Sequence, residues 1–265
     1  MTDAGGKHGM RKAFVGKAEA LLDECHIERT PVDLLRIARH LGIQRIRELD
    51  VRLDGQLLEL HDGTYEVVLS KSAPHTRKRF TLAHEIAHIL VAGDGGVDVT
   101  CGDEATEELC NSIAAELLLP GRFLAEVLAN GIDVAAIRRI ASRFQCSLEA
   151  TTWRILNMGT VTGALLIWRA AGEDAMELVA APHTFGFSTP FENAQVLDHT
   201  SSLLSALAGQ TSGPMEFNDP NSGARYKGDY VRLSKMLLMF IQRAANANTH
   251  ETASPREAWV QGKLF

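Results

Sequence analysis

The residues in this chain whose types and spacing allow chemistry are two histidines four apart with a glutamate beside the first: His84-Glu85-Ile86-Ala87-His88. Successive residues of a helix turn by about 100°, so positions i and i+4 lie one above the other on a single face. Two imidazoles at that spacing can share a Zn2+ ion. The glutamate can then take a proton from a water activated there without being a ligand itself. Phe80, Leu82, Ala83, Ile86, Ala87 and Leu90 surround the motif and supply an apolar face that buries the helix and holds the ligands rigid. The competing reading is a core helix that carries these polar residues by accident. Burying two histidines and a carboxylate without a partner is costly, and this counts against the accident.

A hydrolytic zinc site needs a third protein ligand and an open fourth position. Carboxylates follow at Glu104, Glu107, Glu108 and Glu116. Glu107 shares a helical stripe with Cys110 and Asn111, whereas Glu108 falls toward Ser112 and Ala115, so spacing favours Glu107. Alternatively both are solvated charges at a helix N-terminus, where carboxylates are stabilised anyway.

The elements that must position these groups follow from hydrophobic spacing. Residues 11–27 form an amphipathic helix through Phe14, Val15, Ala18, Leu21, Leu22 and Cys25. Thr30-Pro31 reads as an N-cap with Pro in the first helical position, and the helix that follows stops at Gly42. Strands are predicted at Ile43–Leu49, Gln56–Leu60 and Tyr65–Leu69, the last two joined as a hairpin by Asp62-Gly63. The HExxH helix starts near His75 after a breaker at Ser70–Pro74. A Gly- and Asp-rich loop, Gly93–Asp103, separates it from the carboxylate-bearing helix Glu104–Leu119. Phe123–Leu128 is a short helix, and Asp133–Phe144 with Ser147–Met158 reads as helix-turn-helix. Further on, Leu165–Arg169, Met176–Ala180, Met215–Phe217, Tyr230–Leu233 and Met236–Ile241 read as strands, the last with a helical alternative, and Phe191–Leu207 as a helix. The hairpin offers an edge strand with which an extended substrate could pair.

Three segments in order carry a resemblance: Arg79-Phe80-Thr81-Leu82-Ala83-His84-Glu85-Ile86-Ala87-His88, Glu107-Glu108-Leu109-Cys110-Asn111, and Ala114-Ala115-Glu116-Leu117-Leu118-Leu119-Pro120. Together they resemble the ImmA/IrrE family of zinc metallopeptidases, most specifically over residues 55–160. The resemblance implies an α+β fold with a zincin-like metallopeptidase domain (1–121), a helix-turn-helix-like module (122–159) and a C-terminal GAF-like α/β sensor domain (160–245), while the polar composition of residues 246–265 reads as a flexible tail. It implies a gluzincin-like endopeptidase with His84, His88 and Glu107 as ligands of Zn2+, or of Mn2+ in the cell, and Glu85 as general base. Asn111 then supports the site. His199, in an Asp198-His199 pair like that of IrrE-type members, would reach it, the alternative being a surface histidine. The implied partner is a helix-turn-helix transcriptional repressor of the XRE type, whose cleavage derepresses stress-response or mobile-element genes.

The alternative function is a DNA-binding regulator with a structural or vestigial zinc site. Residues 133–158 carry Arg138, Arg139, Arg143 and Arg154 against Asp133 and Glu149, but the turn holds Gln145-Cys146 where such motifs favour glycine. Packing behind the catalytic domain is the preferred role for this unit.

Composition sets the outer bounds. With 27 basic and 33 acidic residues and 45% hydrophobic content, the chain has a real core and is not a disordered or nucleic-acid-coating protein. Its formal charge of −6 is concentrated: residues 94–108 hold Asp94, Asp98, Asp103, Glu104, Glu107 and Glu108 and no Lys or Arg. Four scattered cysteines make neither a disulfide framework nor a CxxC zinc site. The N-terminal residues lack a signal-peptide core, and no apolar run reaches the ~18 residues of a membrane helix, so the sequence reads as a cytoplasmic protein without a membrane partner. Nothing in the sequence sets its oligomeric state.

Overall fold

A computed structural model describes residues 4–93, 104–129, 131–172, 175–184, 186–191, 195–197, 203, 210–219 and 222–244. Asp94, Asp98, Asp103, Asp198, His199 and the tail from residue 245 lie outside the described residues. The fold is mixed α+β, and the chain divides into two compact units. One comprises Met1–Glu126 with Ala141–Ser147, the other Val127–Ile140 with Leu148–Phe265.

The first unit opens with helix α1 (Ala4–Glu24), which buries Phe14, Ala18, Leu21 and Leu22. Helix α2 (Leu34–His40) follows. It is capped by Asp33, whose carboxylate accepts from the Arg36 amide at 3.1 Å. The cap is therefore not at Thr30, as the sequence reading has it, and Pro31 is not helical. A carboxylate at the N-cap is among the strongest caps available, and the Thr30 hydroxyl instead accepts from Arg143 Nε at 3.0 Å. Gly42, at φ +81°, supplies the left-handed residue that ends α2.

Three strands come next: β1 (Ile43–Leu49), β2 (Gly55–Glu59) and β3 (Tyr65–Ser70), in the order β1-β3-β2. The β2–β3 hairpin is antiparallel as expected, with Leu57 opposite Val67. Its turn is held by Asp62, which accepts from the Thr64 amide at 3.1 Å. The parallel pairing of β1 with β3 makes β3 the central strand. Val67, Val68 and Leu69 are all buried, the continuous apolar run of a strand covered on both faces.

Helix α3 (His75–Ala92) carries the HExxH motif and packs on β2, β3 and helix α4 (Glu104–Leu118), which in turn packs on α1. On α3 the buried positions are Phe80, Leu82, Ala83, Ile86 and Ala87 as expected. Leu90, however, is half-buried, and Val91 takes the core position. Helix α5 (Gly121–Leu128) starts directly after Pro120. Its first amide, Gly121 N–H, is satisfied by the Glu116 carboxylate at 2.9 Å.

Helices α6 (Val134–Phe144) and α7 (Leu148–Asn157) are separated by a three-residue turn. Gln145 adopts the left-handed conformation there, at φ +55°, so a non-glycine residue fills the position where glycine is usual. Its side chain pairs with His75 Nε2 at 3.1 Å, at the start of α3.

The second unit is built on an antiparallel sheet of strands β4 (Ala164–Ala170), β5 (Met176–Ala180), β6 (Val196–Leu197), β7 (Ser212–Asn218), β8 (Arg225–Leu233) and β9 (Met236–Arg243), ordered β6-β5-β4-β9-β8-β7. Trp168, Leu178, Tyr226, Tyr230, Leu237 and Met239 belong to its buried cluster. The helix read over Phe191–Leu207 is corrected at Val196 and Leu197, which pair with Glu177 and Met176 as strand. Pairing to a neighbouring strand overrides local periodicity there. Most of the remaining residues of that stretch lie outside the described ones. The residues read as strand or helix at 236–241 are strand β9, paired on both sides by β4 and β8.

Candidate metal centre

Helices α3 and α4 bring His84, His88 and Glu107 together, with one ligand atom from each lying within 4.8 Å of the others. His84 Nε2 is 3.0 Å from His88 Nε2 and 3.2 Å from Glu107 Oε2, and His88 Nε2 is 3.6 Å from Glu107 Oε1. Ligands held at about 2.0–2.1 Å around a tetrahedral ion sit about 3.3–3.4 Å from one another. The three observed separations bracket that value.

The chemistry of the donor set agrees. Asn111, one turn after Glu107 on α4, lies with Oδ1 3.0 Å from His84 Nδ1. An amide oxygen only accepts, so Nδ1 must carry the proton and Nε2 presents its lone pair to the cluster. A bare imidazole nitrogen, a second imidazole and a carboxylate oxygen thus converge on one point, an arrangement that a cation reconciles. Burial lowers the basicity of both histidines. For His84 the Glu107 charge and the Asn111 hydrogen bond oppose that shift, while for His88 the His84 ring adds to it. Neutral imidazole is the form that binds metal.

Of the carboxylates open to choice from spacing, Glu107 is the one in the cluster. Glu116 is almost fully buried and serves the α5 N-terminus instead. Glu85 is 8% exposed, and burial, reinforced by the Glu107 charge, pushes its carboxyl up to about 7. A carboxyl tuned to that range both takes and returns a proton near neutral pH. The backbone amide of Leu57 on β2 hydrogen-bonds this carboxylate and favours its charged form. Cys110, beside Asn111, is fully buried. His199 lies outside the described residues.

Two contributors escape a reading by residue chemistry. Leu57 acts through its main chain, and Gly55 acts through a side chain it lacks: a Cβ there would stand 2.1 Å from Thr81 Cγ2 and 3.3 Å from Glu85 Oε1. The sequence reading starts this strand at Gln56 and leaves Gly55 out. A glycine next to a strand facing the motif helix is the only trace of the contact in the sequence.

Residues 38–156 match the family model Peptidase M78, described as an IrrE N-terminal-like domain. The radiation response metalloprotease IrrE of Deinococcus radiodurans is 31% identical over 182 residues, which make up 64% of this chain and 55% of that protein. The radiation response metalloprotease IrrE of Deinococcus deserti is 31% identical over 108 residues, 36% of this chain and 38% of that protein. The chain therefore spans about half, or less, of the length of these curated relatives. A solved structure titled as a Mycobacterium tuberculosis transcriptional regulator superposes with a TM-score of 0.53 over 86% of both chains. At 14% identity the likeness is one of fold alone. Among the described residues no helix is long and apolar enough to cross a membrane.

Proposed function

Because this chain belongs to the ImmA/IrrE family, with its metallopeptidase domain within residues 38–156, we propose that it is a cytoplasmic zinc-dependent endopeptidase that cleaves a partner protein. The observation that carries the reading is the convergence of His84, His88 and Glu107 beside a buried Glu85. In it, the two imidazoles and Glu107 hold Zn2+, or Mn2+ in the cell, and Asn111 fixes the His84 tautomer. A bound metal supplies Lewis acidity, making water a stronger acid and polarising the scissile carbonyl. Glu85 takes the proton of the attacking water and delivers it to the leaving amine.

The substrate lies along β2. Bonds from Leu60 N–H to Thr64 O (2.8 Å) and from Ser70 N–H to Asp54 O (3.0 Å) set the ladder so that residues 54, 56, 58 and 60 face β3. Gly55, Leu57 and Glu59 then turn their main-chain groups to the open edge, where an extended peptide can add as a strand. The Leu57 amide is already engaged by Glu85, so pairing uses its carbonyl and the groups at Gly55 and Glu59.

The partner is a helix-turn-helix repressor of the XRE type, and its cleavage derepresses stress-response or mobile-element genes. In this reading α6 and α7 form a helix-turn-helix-like packing module and the antiparallel sheet a GAF-like sensor domain. Thr151, Thr152, Ile155 and Leu156 of α7 are buried, and its first turn carries Glu149, both of which favour packing over reading DNA. The test is incubation of a helix-turn-helix repressor, sought first among the genes beside this one, with the protein and Zn2+ or Mn2+, alongside Glu85→Gln. The parent cleaves and the variant does not. A parent that leaves the repressor intact but binds DNA with strong salt dependence would replace this reading with that of a DNA-binding regulator.

A further inference from the structure

Strand β2 passes closer to the motif helix than any residue with a side chain at position 55 permits. A Cβ on Gly55 would meet Thr81 Cγ2 at 2.1 Å, Glu85 Oε1 at 3.3 Å and Val68 O at 3.3 Å. The Gly55 backbone does not require glycine, since its φ lies outside the left-handed region. The constraint is one of contact. Thr81 is itself buried on α3, one turn before Glu85, so its methyl cannot swing away into solvent. Two residues along the same strand, and on the same open edge, the Leu57 amide reaches the Glu85 carboxylate.

We propose that Gly55 is a positioning residue: by presenting no side chain to Thr81 it seats β2 against α3, so that the Leu57 amide holds the Glu85 carboxylate at the edge where the peptide pairs. The inference rests on the endopeptidase reading above and deepens it. The strand that receives the substrate and the group that moves the proton are set by one contact. A substrate strand can therefore arrive in register with the base already aimed.

The contact has a specific genetic signature, because the obstructing atom is a single methyl. Gly55→Ala pushes the strand away from α3, and Thr81→Ser removes Cγ2 and makes room again. Single-turnover and steady-state cleavage of the repressor are measured for the parent, Gly55→Ala, Thr81→Ser and the double variant, together with zinc content and thermal melting. Gly55→Ala is expected to lower kcat by about 100-fold, the cost of displacing a catalytic group by about 1 Å, while KM and zinc content hold. Thr81→Ser behaves as the parent, and the double variant recovers most of kcat. Parental kcat in Gly55→Ala overturns the inference, as does a folded, zinc-loaded double variant that stays as slow as Gly55→Ala. If the double variant fails to fold, Gly55 is a structural residue and the inference also falls. A parent that cleaves nothing sinks the endopeptidase reading itself, an outcome distinct from an active parent with an equally active Gly55→Ala.

Discussion

Replacing Asn111 with alanine separates the support of the metal site from the ligands themselves. The side chain is not among the three that converge as candidate ligands. It acts through His84 Nδ1, 3.0 Å from its Oδ1. Without that acceptor the imidazole is free to take the other tautomer, in which Nε2 carries the proton and cannot bind metal. The lost hydrogen bond is worth about 1 kcal/mol, and a donor left unpaired away from water costs about 1–3 kcal/mol. The His84 side chain is 15% exposed, so water replaces the acceptor only in part. Outer supports of this kind are worth about 10–100-fold in metal affinity, and the middle of that range, about 30-fold or 2 kcal/mol, is expected here. The assay is the Zn2+ dissociation constant measured by competition with a chromophoric chelator, with melting of the metal-free protein as a check on folding. Asn111→Asp keeps an acceptor facing Nδ1 and should bind at least as tightly as the parent. Unchanged affinity in Asn111→Ala refutes the reasoning. So does an Asn111→Asp variant that loses as much as the alanine.

Two further predictions concern stability. Thr151 Oγ1 is buried without a hydrogen-bond partner, so the near-isosteric Thr151→Val should raise stability by about 1 kcal/mol in urea unfolding. A loss of that size would mean the hydroxyl is satisfied after all. Asp229 on β8 accepts from the Val134 amide at 2.9 Å and so caps α6 from the sheet. Burial, with a smaller contribution from the Asp133 charge, pushes its carboxyl up to about 6, against the opposing pull of that amide. Because the folded state holds this proton more tightly than the unfolded chain, the contribution is present at low pH and fades as pH rises from about 4 through 6. The urea midpoint of the parent relative to Asp229→Asn should therefore fall across that window, and parallel pH profiles for the two proteins would count against the assignment.

What was legible in the sequence was what depends on nearby residues. The i, i+4 spacing of His84 and His88 puts both rings on one helix face in any context, and the stripe through Glu107, Cys110 and Asn111 orders the carboxylates before any contact is known. The Asp62-Gly63 turn likewise specifies the β2–β3 hairpin. The rest depends on partners distant in the chain. Nothing local tells β1 to pass over β2, the next strand in the chain, and pair in parallel with β3, and Val196 with Leu197 becomes strand because β5 offers it a ladder. Asp33 outcompetes Thr30 as a cap only in the geometry the chain adopts after Pro31. Gly55 and Leu57 were illegible for a different reason. One contributes an absence and the other a main-chain group, and neither has a side-chain signature.

The order β1-β3-β2 also divides the labour of the first unit between residues that must stay and residues that can change. Its central strand is buried from Glu66 to Ser70, whereas on β2 Gln56, Leu58 and Glu59 are exposed. With the proposed cleft along β2, the side chains at Gln56, Leu58 and Glu59 can be replaced at almost no cost to the fold, while Gly55 and the Leu57 main chain stay tied to Glu85 and the candidate metal ligands sit on α3 and α4. Selectivity can then drift from one lineage to the next by single substitutions on an edge, with neither the chemistry nor the stability of the scaffold at stake.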